Sequence, residues 1–96
     1  MRKTNEQTVK DALAALFKAY GLDTRMAEKK LINSWPALCG PMIAKYTRNI
    51  YISKKKLFLE IDNSVIREEI MFARESLIKK LNDEAGSELI TEIVVR

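Results

Sequence analysis

At 96 residues, 47% hydrophobic and 31% charged, with a net charge of +4, the chain is long enough for one domain around one core. With no histidine and a single cysteine, Cys39, it cannot assemble the usual zinc, haem or di-iron sites, and no metal or other cofactor is expected. A disulfide framework is equally excluded, which favours a reducing, cytoplasmic setting, and no apolar run approaches the ~20 residues of a membrane span or the pattern of a secretory segment.

The charge is uneven. Residues 1–56 carry 12 Lys/Arg against 4 Asp/Glu, whereas residues 57–96 carry 5 against 9. A net +8 beside a net −4 suggests one face for a polyanion and another for something else. Solvated surface in both halves explains the same numbers, because net charge argues for attraction and not for a site.

In chain order, Val9, Leu13, Leu16, Phe17 and Tyr20 fall at helical spacing and predict an amphipathic helix over 8–20. Thr4 with Gln7 forms a capping box upstream, and Gly21 suits the left-handed position after the helix. Asp23 or Thr24 then caps a second helix from about Arg25, with Ala27, Leu31, Trp35 and Leu38 as its buried stripe. Pro36 removes a helix hydrogen bond, so a kink or break is expected at Ser34 and Trp35. Gly40 and Pro41 end the segment, and residues 42–46 add one more helical turn.

The period then changes to two. Residues 48–53 and 56–61 alternate, with Ile50 and Ile52 matched by Leu57, Leu59 and Ile61. A two-residue turn at Lys54 and Lys55 sets Ile52 against Leu57, Tyr51 against Phe58 and Ile50 against Leu59. Lysine suits the positive φ of such a turn poorly, so a looser loop is the alternative. Asn63 or Ser64 caps a third, long helix with Ile66, Ile70, Leu77 and Leu81 on its buried stripe and Ala73 and Ile78 beside it. Gly86 ends that helix, and residues 89–96 form a last strand, parallel to its neighbour through a crossover. The fold class is α+β, in the order α-α-β-β-α-β, with a three-stranded sheet and helices on one face.

The run L-I-N-S-W-P-A-L-C-G-P-M-I-A-K-Y-T, residues 31–47, places a tryptophan five residues before a glycine and then Ile-Ala and a threonine. Followed by I-Y-I-S-K-K-K-L-F-L-E-I, N-S-V-I-R-E-E-I, K-L-N-D-E-A-G and a terminal I-V-V-R, it resembles the DciA family of bacterial replicative-helicase loaders over nearly the whole chain. The resemblance implies a single KH-like domain over 1–96, with a short arm at 1–5, that binds nucleic acid and cooperates with the helicase DnaB. It looks like the family's short form, without the long tail that often helps engage the helicase. With glycine only at 21, 40 and 86, the chain has no Gly-x-x-Gly clamp of true KH domains.

Lys54, Lys55 and Lys56 form the most basic run, at a hairpin tip where ammonium groups can approach phosphates; Lys45 and Arg48, at the other end of the hairpin, extend the charge. A solubilising turn that guards a sheet edge is the plain alternative. Tyr51 and Phe58, side by side on the open face, either stack on bases of a single strand or simply stabilise the hairpin. Trp35 belongs to the core by its spacing, with a partner contact as the alternative. Arg25, Lys29 and Lys30 on the second helix read as solvated surface before phosphate contacts. Glu68, Glu69, Glu75, Asp83 and Glu84 read as a solvated face, open to a basic partner, and nothing places a carboxylate pair for acid/base work. Cys39 has no histidine beside it, and no Gly-rich phosphate loop exists, so enzyme activity is not expected. Three functions follow as expectations: a DNA-binding accessory of DnaB, a protein-interaction adaptor without nucleic acid, and a KH-like RNA-binding protein.

Overall fold

The computed structural model describes the backbone of residues 2–96 and side chains from Thr8 onward. Its elements are α1 (Arg2–Ala19), α2 (Leu22–Cys39), α3 (Pro41–Tyr46), β1 (Thr47–Ser53), β2 (Lys56–Ile61), α4 (Ser64–Phe72), α5 (Arg74–Ala85) and β3 (Glu92–Val95). This is an α+β fold with a mixed three-stranded sheet in the order β1-β2-β3.

The hairpin forms as the alternation dictates. Ile50, Tyr51 and Ile52 of β1 pair with Leu59, Phe58 and Leu57 of antiparallel β2. A one-residue slip would turn Leu57, Leu59 and Ile61 to solvent, and all three are buried. The turn is tight and not loose: Lys54 and Lys55 both take positive φ, 50° and 63°, the geometry that normally calls for Asn-Gly. Strand β3 lies parallel to β2, with Phe58 beside Val94 and Lys56 beside Glu92.

Leu57, Leu59, Ile61 and Ile93 from the sheet, Leu31 and Trp35 from α2, Ile66 and Ile70 from α4, Leu81 from α5, and Leu89 and Ile90 from the loop before β3 make the core. Trp35 is 2% exposed, which settles it as core. Its indole N–H donates not to a carbonyl but to Thr47 Oγ1 at 3.1 Å, and that hydroxyl donates to the Ile43 carbonyl at 2.7 Å. The relay ties α2, α3 and the start of β1 together and leaves the indole satisfied.

Several boundaries differ from expectation. Helix α1 starts at Arg2, earlier than its apolar stripe and inside the expected arm; the side chains of the Thr4–Gln7 box lie outside the described residues. Helix α2 starts directly after Gly21, left-handed at φ 67°, without a side-chain cap from Asp23 or Thr24. Of the expected kink or break at Pro36, the break does not occur: the helix continues through it, held by buried Leu31 and Trp35 on one side and half-buried Leu38 on the other. Packing on both sides offsets the single hydrogen bond that proline deletes.

The long third helix is two helices, broken at Ala73, which is exposed and not part of a buried stripe. A straight rod over residues 64–85 would run about 33 Å, well past strands of four to seven residues that span roughly 13–23 Å. The break lets α4 lie on β2 and β3 while α5 turns to pack on β3 and α2. Strand β3 is shorter than expected, because Leu89 and Ile90 are buried in the loop before it. Asn82 holds that loop: its Oδ1 accepts from the amides of Leu89 and Ile90 at 3.1 Å, and its Nδ2 donates to the Ile90 carbonyl at 2.8 Å. Helix α1 does not join the layer on the sheet. It packs mainly on α2 and projects, so the molecule measures 61 × 23 × 21 Å.

Candidate nucleic-acid interface

The face of the sheet turned away from the helices carries the candidate site. At one end lies the turn, with exposed Lys54 and Lys55 side by side. Among the described residues neither forms an ion pair. Lys56 does, with Glu92 of the neighbouring strand at 3.3 Å, so it is the least available of the three. The Lys55 carbonyl accepts from Thr91 N–H at 2.8 Å, which anchors the turn to the loop before β3.

In mid-sheet, Tyr51 and Phe58 stack with ring centroids 4.7 Å apart and planes within 8°. The Arg96 guanidinium sits 5.4 Å from the Phe58 ring, extending the row to a third strand. The rings therefore stabilise the hairpin, and Phe58 is enclosed between Tyr51 and Arg96. Tyr51, 41% exposed, is the ring with a free side.

The far end is also cationic. The β1–β2 register shifts between Thr47 and Asn49, a bulge at Arg48 that aims its side chain at Asp62, 3.1 Å away. Both partners are mostly exposed, so the pair contributes little stability. Lys45 lies on α3 with its ammonium 5.7 Å from the Tyr46 ring. Thus the fold separates the expected cations into two groups, Lys54–Lys56 at the tip and Lys45 with Arg48 at the opposite end, about 20 Å away along the strands.

Two residues that sequence alone does not single out join the far group. Arg67 donates to the Ile61 carbonyl at 2.7 Å, and with Arg48 and Arg96 it lines an open cleft of about 480 Å³ that also holds Glu60 and Asp62. Only the end-on approach of α4 and β3 to Ile61 brings these arginines together, and no spacing signals it. A third feature is apolar: Phe72, at the α4 break, is 96% exposed, with Met71 and Val65 also exposed on the same helix. Phe72 lies off the Ile66–Ile70 stripe, which was the available signal.

Arg25, Lys29 and Lys30, and the carboxylates of Glu68, Glu69, Glu75, Asp83 and Glu84, are exposed. Burial pushes the Cys39 thiol up, with the backbone hydrogen bonds and Lys80 acting only as smaller opposing influences. A thiol held neutral in this way is a poor nucleophile. Among the described residues no group of three metal-ligating side chains gathers, and no helix is long and apolar enough to cross a membrane.

No curated protein matches the chain. Residues 8–95 match a family model described as "Dna[CI] antecedent, DciA", a span that takes in the Trp35 segment, the hairpin, the crossover helices and β3. The chain belongs to the DciA family, which is associated with loading of the replicative helicase DnaB.

Proposed function

We propose that the protein is a non-enzymatic, cytoplasmic accessory of DNA replication whose KH-like domain holds single-stranded or junction DNA while DnaB is placed on it. The observation that carries this reading is the turn. Lys54 and Lys55 occupy left-handed backbone, where a side-chain-bearing residue is disfavoured by about 1–2 kcal/mol. Asn-Gly would close the same hairpin with less of that strain. Strain retained at a protruding position, with two unpaired ammonium groups as its product, favours a role in binding. Phosphates supply the complementary charge, with Lys56, Lys45 and Arg48 adding to the field and the free side of Tyr51 offering a stacking surface for a base.

The test is fluorescence anisotropy of labelled single-stranded DNA, duplex and RNA of equal length, each at two salt concentrations. Salt-sensitive binding that prefers DNA and weakens when Lys54, Lys55 and Lys56 become alanine is the expected result. Unchanged affinity and salt slope in that variant would remove the turn from the interface. A preference for RNA would make the domain an RNA binder. No binding at low salt would leave a protein adaptor, for which exposed Phe72 supplies an apolar contact.

A further inference from the structure

Helix α1 turns its apolar stripe outward. Val9, Leu13, Leu16 and Tyr20 are 58, 49, 47 and 71% exposed, although their pattern is that of a buried face. A helix draws most of its stability from packing such a face, so this one lacks its cover. The spacing of four, three and four residues puts the stripe on one line along the helix and matches the a/d positions of a short two-helix seam. On one side the seam is bordered by Ala12 and Ala19, small enough for close approach, and on the other by Lys10 and Phe17. Asp11 and Lys18 fall on the side furthest from it. With one lysine and no carboxylate along its edges, the stripe suits another apolar helix and offers little to a phosphate backbone.

We infer that the cover is α1 of a second copy of this chain, and that the protein forms a weak homodimer through this seam. The stripe is self-complementary when the helices run antiparallel: Val9 lies across from the larger Tyr20 of the second copy, and Leu13 across from its Leu16. This direction also sets the two cationic bodies, each attached at the C-terminal end of α1, at opposite ends of the assembly. The four stripe residues expose roughly 450 Å² per copy, so their complete burial in a pair removes roughly 900 Å², the size of a weak, transient interface. Association through so small an interface is weak and therefore concentration-dependent.

Sedimentation velocity of the full chain from a few to several hundred micromolar tests this. The expected result is conversion from monomer to a dimer longer than the 61 Å of one copy. Leu13→Asp/Leu16→Asp abolishes the dimer while the buried-tryptophan emission stays unchanged, because both residues lie outside the core. Leu13→Ala/Leu16→Ala, which preserves helix propensity, weakens it at least tenfold, whereas Lys18→Glu leaves it intact. A monomer at every concentration, a dimer indifferent to both leucine variants, or one broken by Lys18→Glu would each overturn the inference.

Discussion

Replacing Lys54 with asparagine and Lys55 with glycine separates what the turn costs from what it does. Both positions hold positive φ, and together they cost about 2–4 kcal/mol relative to unstrained backbone. Asparagine relieves part of one penalty and glycine all of the other, while the extra freedom of glycine in the unfolded chain returns about 0.5–1 kcal/mol. The net expectation is a gain of about 1–2 kcal/mol, a rise in Tm of about 4–8 °C per kcal/mol for a domain of this size. The Lys55 carbonyl keeps its bond from Thr91, so the register is preserved. If each lysine neutralises one phosphate of a single strand, the slope of log K against log salt becomes shallower by about 1.4. Urea and thermal unfolding followed by circular dichroism measure the first effect, and anisotropy at several salt concentrations the second. A less stable variant would refute the strain argument; an unchanged slope would refute the phosphate argument. Either result can occur without the other.

Other positions separate core from surface. Ile70→Ala, in a fully buried side chain, is expected to destabilise by about 2–5 kcal/mol in urea titration, whereas Phe72→Ala, two residues away, should change stability by less than about 0.5 kcal/mol. Asn82→Ala leaves the amides of Leu89 and Ile90 and the Ile90 carbonyl without their partner; a loss of about 1–3 kcal/mol and faster hydrogen exchange through residues 89–95 are expected. Cys39 should alkylate more slowly than a free thiol at pH 8, its rate still climbing above the pH where an ordinary thiol levels off, since burial raises its pKa. Reaction at the free-thiol rate would contradict the buried environment. Tryptophan emission should be blue-shifted and resist quenching by iodide, and a red, quenchable spectrum would contradict the placement of Trp35.

The hairpin was legible because its two strands alternate against each other: only one register puts Ile50, Ile52, Leu57, Leu59 and Ile61 on a single face and sets Tyr51 against Phe58. The Asn63 cap was legible for a local reason as well, its side chain accepting from the Ile66 amide three residues on. What escaped the sequence comes from contacts between distant segments. Pro36 has the chemistry of a breaker, yet burial of Leu31 and Trp35 keeps the helix whole. Ala73 has the chemistry of a helix former, yet the short sheet requires a bend there. Leu89 and Ile90 look like strand and are buried in a loop, because Asn82 supplies the bonds that a neighbouring strand would have given. In the candidate site, the lysine run and its tip position could be read directly. The partners that tie up Lys56 and Arg48 could not, since Glu92 lies 36 residues from Lys56 and Asp62 reaches Arg48 only across the strand pair.

The row of Tyr51, Phe58 and Arg96 has a spectroscopic consequence. The Phe58 ring is flanked by a second ring at 4.7 Å and a guanidinium at 5.4 Å, so it lies within the shielding cone of Tyr51. Its ring protons should be shifted upfield. A nucleobase laid against the outer side of Tyr51 would add its own ring current to that ring while leaving Phe58 nearly unmoved. The sheet thus carries a built-in pair of probes, one sensing whether the hairpin is closed and the other whether its face is occupied.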